Sequence, residues 1–513
     1  MNQNSIPSML WKNGDRPREE CGIFGIYFKH PKFYDHIVPA TLSGLLTNQH
    51  RGEESAGIVV SDGKKLSLPF KRMGLIRELF QDYRQFEKKE ERLSGYLSIA
   101  HTRYSTTGSS NLANAAPFLF SDPKLGQIAV AHNGNITNAD NLRKEIKNYK
   151  FSSSTDSEVI GTLIIYSKGA TWDEKIVRAL NKLQGSFSLL LLTKDTLYGV
   201  RDSIGNRPLS YADFEKDGTV GYALSSESPA FDNLEIRYQR EIKPGELIKF
   251  SKGKKKSIKF TKEVAQAFCG LEIAYLMRAD SRLEKIQLDT IRRHLGAKLA
   301  KTHPIPKKID YITYIPESAK SSAEGFAEEV SRQTEHLIPI RTSMIKGRYG
   351  TIYGVIRGFI SPDKSLRSQV AHGNYYPFDW LIGKRVVLVD DSIIRGTTTG
   401  GVISILRYKV GFLRTNGAKE VHLRIIFPPI IGSCPLGTDI NDQDKLIAKE
   451  LSNVSEIADY LKVESLEYLT PKEFSQEVNS CLGKEFGLCL GCTTKNYPVA
   501  SFNADKKIFE KKC

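Results

Sequence analysis

No apolar run in this 513-residue chain approaches the length of about 20 residues that a membrane-spanning helix requires; Leu189–Leu192 is a typical stretch. The first 20 residues contain no apolar core segment and carry Asp15, Arg16, Arg18, Glu19 and Glu20, so no secretory signal is expected. Cysteine is scarce, with seven residues at 21, 269, 434, 481, 489, 492 and 513. An odd number, unevenly placed in a signal-free chain, argues against a disulfide framework and for separate jobs. Nucleic-acid motifs are also missing. The net charge of +16 comes from scattered basic residues, and Lys254-Lys255-Lys256 reads as the surface of a turn. An anionic small substrate accounts for that charge more simply than nucleic acid or a membrane surface. What remains is ordinary for a soluble cytoplasmic protein: 40% hydrophobic and 26% charged residues, with length enough for two to four domains.

The most informative stretch runs from Val386 to Gly400. Val386-Val387-Leu388-Val389 reads as a buried parallel strand. Asp390 and Asp391 follow at its carboxyl end, where ligands of open α/β sheets bind. Ser392 leads through Arg395-Gly396-Thr397-Thr398 into an expected helix near Thr399–Val410. Backbone N–H groups at such a turn can cradle a phosphate, and the threonine hydroxyls add donors. Two acids beside a phosphate cradle suggest a phosphorylated sugar. The stretch resembles the phosphoribosyl pyrophosphate (PRPP) signature of type I phosphoribosyltransferases. That resemblance gives Asp390 and Asp391 the ribose hydroxyls and a Mg²⁺ ion, and Ser392, Arg395, Gly396, Thr397 and Thr398 the 5-phosphate region. Ser318, after the strand Tyr311–Ile315, would be a further Mg²⁺-site residue.

The amino-terminal half carries a different chemistry. Cys21 opens the alternating strand Cys21–Tyr27. Downstream lie Gln49–Ile58, Ala100–Gly108, His132-Asn133-Gly134-Asn135-Ile136 and Ser154–Glu158. Acyl transfer from an amide needs a thiol nucleophile, a base and an oxyanion hole. Asn133 can offer a side-chain N–H and Gly134 an unobstructed backbone N–H. Arg103 can grip an α-carboxylate bidentately, and Asp156 can pair with an α-ammonium. Together these motifs resemble the class II glutamine amidotransferases, whose glutaminase domain has an N-terminal-nucleophile fold. The resemblance implies that residues 1–20 are a propeptide, that Cys21 becomes the first residue, and that its freed α-amine is the base. An α-amine near pKa 7.7–8.0 suits that task at neutral pH. Arg51 would shape the glutamine pocket, while His50, His101 and His132 are read as structural or orienting.

A class II glutaminase followed by a type I phosphoribosyltransferase domain is similar to the amidophosphoribosyltransferase family, which makes 5-phosphoribosylamine from PRPP and glutamine. The expected fold is an αββα glutaminase domain over residues 21–265 and an α/β domain with a mainly parallel sheet over 266–513. Cys489-Leu490-Gly491-Cys492 alone is a moderate metal signal. In the [4Fe–4S]-bearing subgroup of the family, cysteines stand in contexts like those of Cys269, Cys434, Cys489 and Cys492, so the resemblance implies one cluster on these four, with zinc or unligated core cysteines as the alternatives. It also implies purine-nucleotide inhibitors and a homo-oligomer, commonly a tetramer.

The resemblance breaks before the signature. Pro316-Glu317-Ser318 replaces the usual Pro-Asp-Ser, residues 347–360 look like an insertion with altered register, and Val370-Ala371-His372-Gly373-Asn374 lacks two expected cations. Competing readings are therefore a glutaminase fused to a diverged partner serving another ammonia acceptor, and a PRPP or nucleotide sensor. No Ser-Gly-Gly-x-Asp-Ser loop follows the glutaminase, which disfavours an asparagine synthetase.

Overall fold

The computed structural model describes residues 21–30, 36–89, 93–104, 111–216, 218–306, 308–346, 375–408, 417–438, 440, 446–451 and 453–499. The proposed propeptide, the altered segment 347–374 and Cys513 lie outside them.

Two antiparallel sheets form the amino-terminal half. The first runs, edge to edge, Arg237–Glu241, Ser210–Lys216, Thr219–Ser225, Gly22–Phe28, Leu97–Arg103, Ser55–Ser61 and Phe70–Met73. The second runs Lys254–Lys259, Glu246–Ser251, Thr196–Arg201, Gly185–Leu192, Gly126–Ile136 and Phe118–Asp122. Alternation within each strand decides what each face meets. Ile23 and Tyr27 point between the sheets with Ile99, Ala131, Leu190 and Ile248. Phe24, Ile26 and Phe28 face the other way, onto the helix Ile37–Leu46 and its neighbours. On the far side, Val130, Leu189 and Leu191 pack under the helices Asp156–Tyr166 and Trp172–Leu180. The layers are therefore helix, sheet, sheet, helix, as expected. Because strands in the middle of this sandwich are covered on both faces, Gly185–Leu192 can be apolar almost throughout.

One detail differs from the sequence reading. Lys254-Lys255-Lys256 is not a turn but the start of an exposed edge strand. The turn is Lys252-Gly253, with φ of 51° and 70° at its two residues. Two positive φ values make the tight connection whose twist suits a hairpin. The lysines then line an edge where charge discourages pairing with another chain.

The carboxyl half is built on a four-stranded parallel sheet, Tyr311–Tyr314, Arg385–Asp390, Glu420–Ile425 and Ser465–Tyr468. Val386–Val389 are fully buried between two apolar clusters, one on each face of the sheet. Helix Lys320–Thr334 follows the first strand and Thr397–Tyr408 the second, the latter two residues before its expected start. A further parallel pair, Phe268–Cys269 with Leu488–Cys489, ties the end of the described chain to the start of this half.

Candidate active site

Cys21 sits at the head of a central strand, half-buried, and its Sγ donates to the Tyr104 carbonyl at 3.6 Å. Burial pushes the thiol up to about 11, with the Tyr104 backbone contact and Arg103 opposing. A thiol in that state is a poor nucleophile at neutral pH without a base. The nearby histidines are engaged elsewhere. His101 Nε2 contacts the His132 carbonyl at 3.0 Å, His132 Nδ1 contacts Ser157 Oγ at 3.2 Å, and His50 Nε2 contacts Glu227 at 2.8 Å. Burial also drives His101 down to about 3, so it is neutral.

Asn133 has its side-chain nitrogen and oxygen both buried and without a hydrogen-bond partner among the described residues. A buried amide left unsatisfied costs about 1–3 kcal/mol. Antiparallel pairing opposite Ser188 holds its backbone in place despite that cost. Such a group is explained by a ligand that uses it, and a developing oxyanion is one. Gly134 follows with φ of 140°, and a Cβ there would fall 2.2 Å from the Ser186 carbonyl. Only glycine fits.

The two groups expected to bind the amino-acid end of glutamine are placed by different means. Arg103 ends the strand Leu97–Arg103, is buried, and donates to Glu54 at 2.8 Å. Asp156 begins the helix Asp156–Tyr166, capped by Thr155, where the helix dipole favours a negative charge. Its carboxylate accepts from the Ile136 N–H at 3.0 Å and lies 3.5 Å from His132 Nδ1. Burial raises its proton affinity, but His132 and the backbone donors outweigh that, and the net shift is downward. Asp156 is therefore anionic at neutral pH.

Arg51 takes a place the sequence did not suggest. It is fully buried, with Nη1 2.7 Å from Glu227 and Nη2 2.7 Å from Glu272 of the carboxyl half. Its Nε donates to the Cys21 carbonyl at 3.4 Å. Burial disfavours the cation, yet the two glutamates reverse this and hold it charged. Glu227 is anchored further by Ser281 Oγ at 2.6 Å and the Arg278 N–H at 2.9 Å. Arg51 thus supports the nucleophile's backbone and joins the two halves.

In the carboxyl half, Asp390 ends its strand and Asp391 begins the turn, both buried. Asp390 Oδ1 accepts from the Asp391 N–H at 2.9 Å, and Asp391 Oδ1 from Ser392 Oγ at 2.8 Å. Ser318 acts on the Asp391 side chain to lower its proton affinity, which brings the three expected Mg²⁺-site residues together. Burial is the main cause that raises both acids, and the Asp391 charge raises Asp390 further. Gly396, with φ of 72°, turns the chain into the helix that begins at Thr397 and Thr398. Arg395 stands just before that turn. Arg292, which no motif marked, adds a positive charge facing Asp391 while bonding the Ile273 and Met277 carbonyls at 2.8 and 2.6 Å. Tyr275, half-buried in the segment Glu272–Leu276, packs against the core of the carboxyl half, and burial is the main cause that raises its hydroxyl.

The cysteines converge. Cys269 lies opposite Cys489 in the short parallel pair. The Ile431 and Gly432 N–H groups, just before Cys434, both donate to the Cys492 carbonyl at 2.9 Å. Burial pushes Cys269 up to about 12 and Cys489 to about 11, and Cys492 is raised by burial and by the other three thiols. None of these cysteines is in a disulfide. Among the described residues, no group of three or more His, Cys, Asp or Glu side chains is arranged to hold a metal ion.

A glutamine amidotransferase domain family matches residues 101–233. The amidophosphoribosyltransferase of Synechococcus elongatus is 38% identical over 95% of this chain and 92% of its own length. That of Bacillus subtilis is 35% identical over 94% of each chain. The solved structure of the B. subtilis glutamine PRPP amidotransferase, complexed with ADP and GMP, superposes with a TM-score of 0.80 at 34% identity, covering 94% of this chain and 98% of that one. The fold and its two sites define a two-domain enzyme, an N-terminal-nucleophile glutaminase joined to a phosphoribosyltransferase domain. The chain belongs to the amidophosphoribosyltransferase family. It is a glutamine amidotransferase and pentosyltransferase that aminates PRPP in purine biosynthesis.

Proposed function

We propose that glutamine is hydrolysed at Cys21 and that its ammonia reaches PRPP bound at Asp390 and Asp391 without leaving the protein. The carrying observation is Arg51, which donates to the Cys21 carbonyl on one side and pairs with Glu272 of the carboxyl half on the other, so the nucleophile sits against the transferase half. Removal of residues 1–20 frees the Cys21 amine, which takes the thiol proton as Sγ attacks the glutamine amide carbon. The oxyanion is met by the Asn133 side chain and the Gly134 N–H. The same amine then returns its proton to the departing nitrogen, giving ammonia and a thioester that water hydrolyses to glutamate. Arg103 and Asp156 hold the α-carboxylate and α-ammonium. At the second site, the ammonia nitrogen bonds to C1 of PRPP as the C1–oxygen bond to pyrophosphate breaks, and one proton is released.

Asp390, Asp391 and Ser318 fit a divalent cation, because two adjacent buried acids repel one another until a cation joins them. Bound Mg²⁺ would neutralise charge on the departing pyrophosphate. Cys269, Cys434, Cys489 and Cys492 fit a [4Fe–4S] cluster as a donor set of four soft thiols from distant segments. Zinc on the same four thiols is the alternative. The cluster would act as a staple between the chain's end and its middle. Purine nucleotides as inhibitors, supported by the ADP and GMP complex of the B. subtilis protein, and a cytoplasmic homo-oligomer complete the reading.

The test is glutamine labelled with ¹⁵N in its amide, supplied with PRPP and excess unlabelled ammonium. Phosphoribosylamine that keeps the label supports delivery inside the protein. Label diluted to the bulk ratio contradicts it.

A further inference from the structure

The loop Cys434–Thr438 belongs to the carboxyl half, yet its polar contacts reach into the glutaminase domain. Asn135 Nδ2 donates to the Pro435 carbonyl at 2.9 Å. The Leu436 carbonyl accepts Ser186 Oγ at 2.5 Å and Arg207 Nε at 3.0 Å, and Arg207 Nη2 as well. Arg207 Nη2 also reaches Thr438 Oγ1 at 3.2 Å. All these residues are buried.

These anchors surround one spot. Asn135 and Ser186 face each other across the pair of strands that carries Asn133 and Gly134. Gly437 lies against Gly134 itself: a Cβ on Gly437 would stand 3.2 Å from the Gly134 carbonyl carbon and 3.4 Å from its Cα. It would also come 3.1 Å from Arg207 Nη2. Gly437 has φ of 112°, a conformation that side chains rarely adopt. The Gly134 backbone is therefore held between Ser186 on one side and Gly437 on the other, with no room to rotate away.

We propose that the Cys434–Thr438 loop is a positioning element of the glutaminase oxyanion hole, so that the transferase half completes the hydrolytic site. An N–H aimed at an oxyanion contributes only while its direction is fixed before the charge develops. Gly134, at a positive φ that glycine adopts freely, gains that fixity from the loop pressed against it. Gly437 and Ser186 are thus positioning residues, acting through the backbone at 133–134. The inference rests on the reading of Asn133 and Gly134 as the oxyanion hole.

The experiment compares Gly437→Ala, Ser186→Ala and Asn133→Ala in the full processed enzyme, with glutamine and with ammonium as nitrogen donor. Gly437→Ala is expected to lower kcat for glutamine hydrolysis about ten- to a hundredfold, the scale of a small misplacement at a reacting centre. KM for glutamine and ammonium-dependent pyrophosphate release should stay within about twofold, because uniform binding and the other site are untouched. In an Asn133→Ala background the same substitution should cost less than it does alone, since the hole is already impaired. Should Gly437→Ala fail to fold, Ser186→Ala, which removes one donor to Leu436, carries the test with a smaller fall in the same direction. Equal losses with glutamine and ammonium, or full additivity with Asn133→Ala, would overturn the proposal. A wild-type kcat in Asn133→Ala would instead remove the oxyanion reading beneath it.

Discussion

The two sites handle charge in opposite ways. In the glutaminase, Arg103 meets Glu54, Arg51 meets two glutamates, and Asp156 is stabilised as an anion by His132 and backbone donors. In the transferase, Asp390 and Asp391 are buried side by side and both are shifted toward the protonated form. The first site carries its own counter-charges and leaves a neutral amide, Asn133, for the reaction to use. In the proposed function the second is completed by a cation and an anionic substrate that come from outside. A glutaminase of this kind is poised before glutamine arrives, whereas the transferase acquires its electrostatics on binding.

This contrast can be broken or sharpened by substitution. The largest effect concerns the base. A chain that keeps residues 1–20 has an amide nitrogen at Cys21 and a thiol near 11, so its glutamine hydrolysis should be negligible until the segment is removed; N-terminal sequencing beside an ammonia assay checks it. Arg51→Ala should come next. It strands Glu227 and Glu272 in a buried site, and breaking such a pair costs about 3–5 kcal/mol, to be read from denaturant unfolding. Wild-type stability would mean that water reaches the two acids. Asn133→Ala should lower kcat for glutamine about 10²–10³-fold, the usual loss for one oxyanion donor, with little change in KM.

The smallest effect tests the transferase side. A buried acid with a raised folded-state pKa supports the fold fully below its unfolded value, about 3.9, and loses that contribution as pH rises through the folded value. Asp390→Asn should therefore raise the melting temperature of chelator-treated protein at neutral pH, roughly 2–4 °C per kcal/mol relieved for a domain of this size. The gain should fade on acidification toward pH 4. The same substitution at Asp156, whose shift is downward, should lower the melting temperature at neutral pH. Calorimetry of both variants settles whether the two sites differ in sign.

Much of this was legible in the sequence because it is local. The strand Val386–Val389 with two acids at its end, and the pair Asn133-Gly134, each declare their chemistry within a few residues. Burial of the strand and the open amide followed directly. What stayed hidden depends on distant pairing. Arg51 finds Glu272 across 221 positions, and Asn135 finds Pro435 across 300. No local pattern distinguishes a pocket arginine from one that ties two halves together. The lysines at 254–256 were misplaced for a related reason: the two positive φ values at Lys252 and Gly253 set where the turn falls, and lysine clusters suit turns and edge strands alike. The departures from the family pattern at 347–374 lie outside the described residues. The similarity to amidophosphoribosyltransferases over nearly the full length favours that family's activity over the diverged-partner and sensor readings.

The most direct test is pyrophosphate release from PRPP and Mg²⁺ by anaerobically purified protein that begins at Cys21. The account predicts release that requires glutamine, is lost in Cys21→Ala, and persists in that variant when ammonium replaces glutamine. Glutamine hydrolysis with no PRPP consumed by either donor would contradict it.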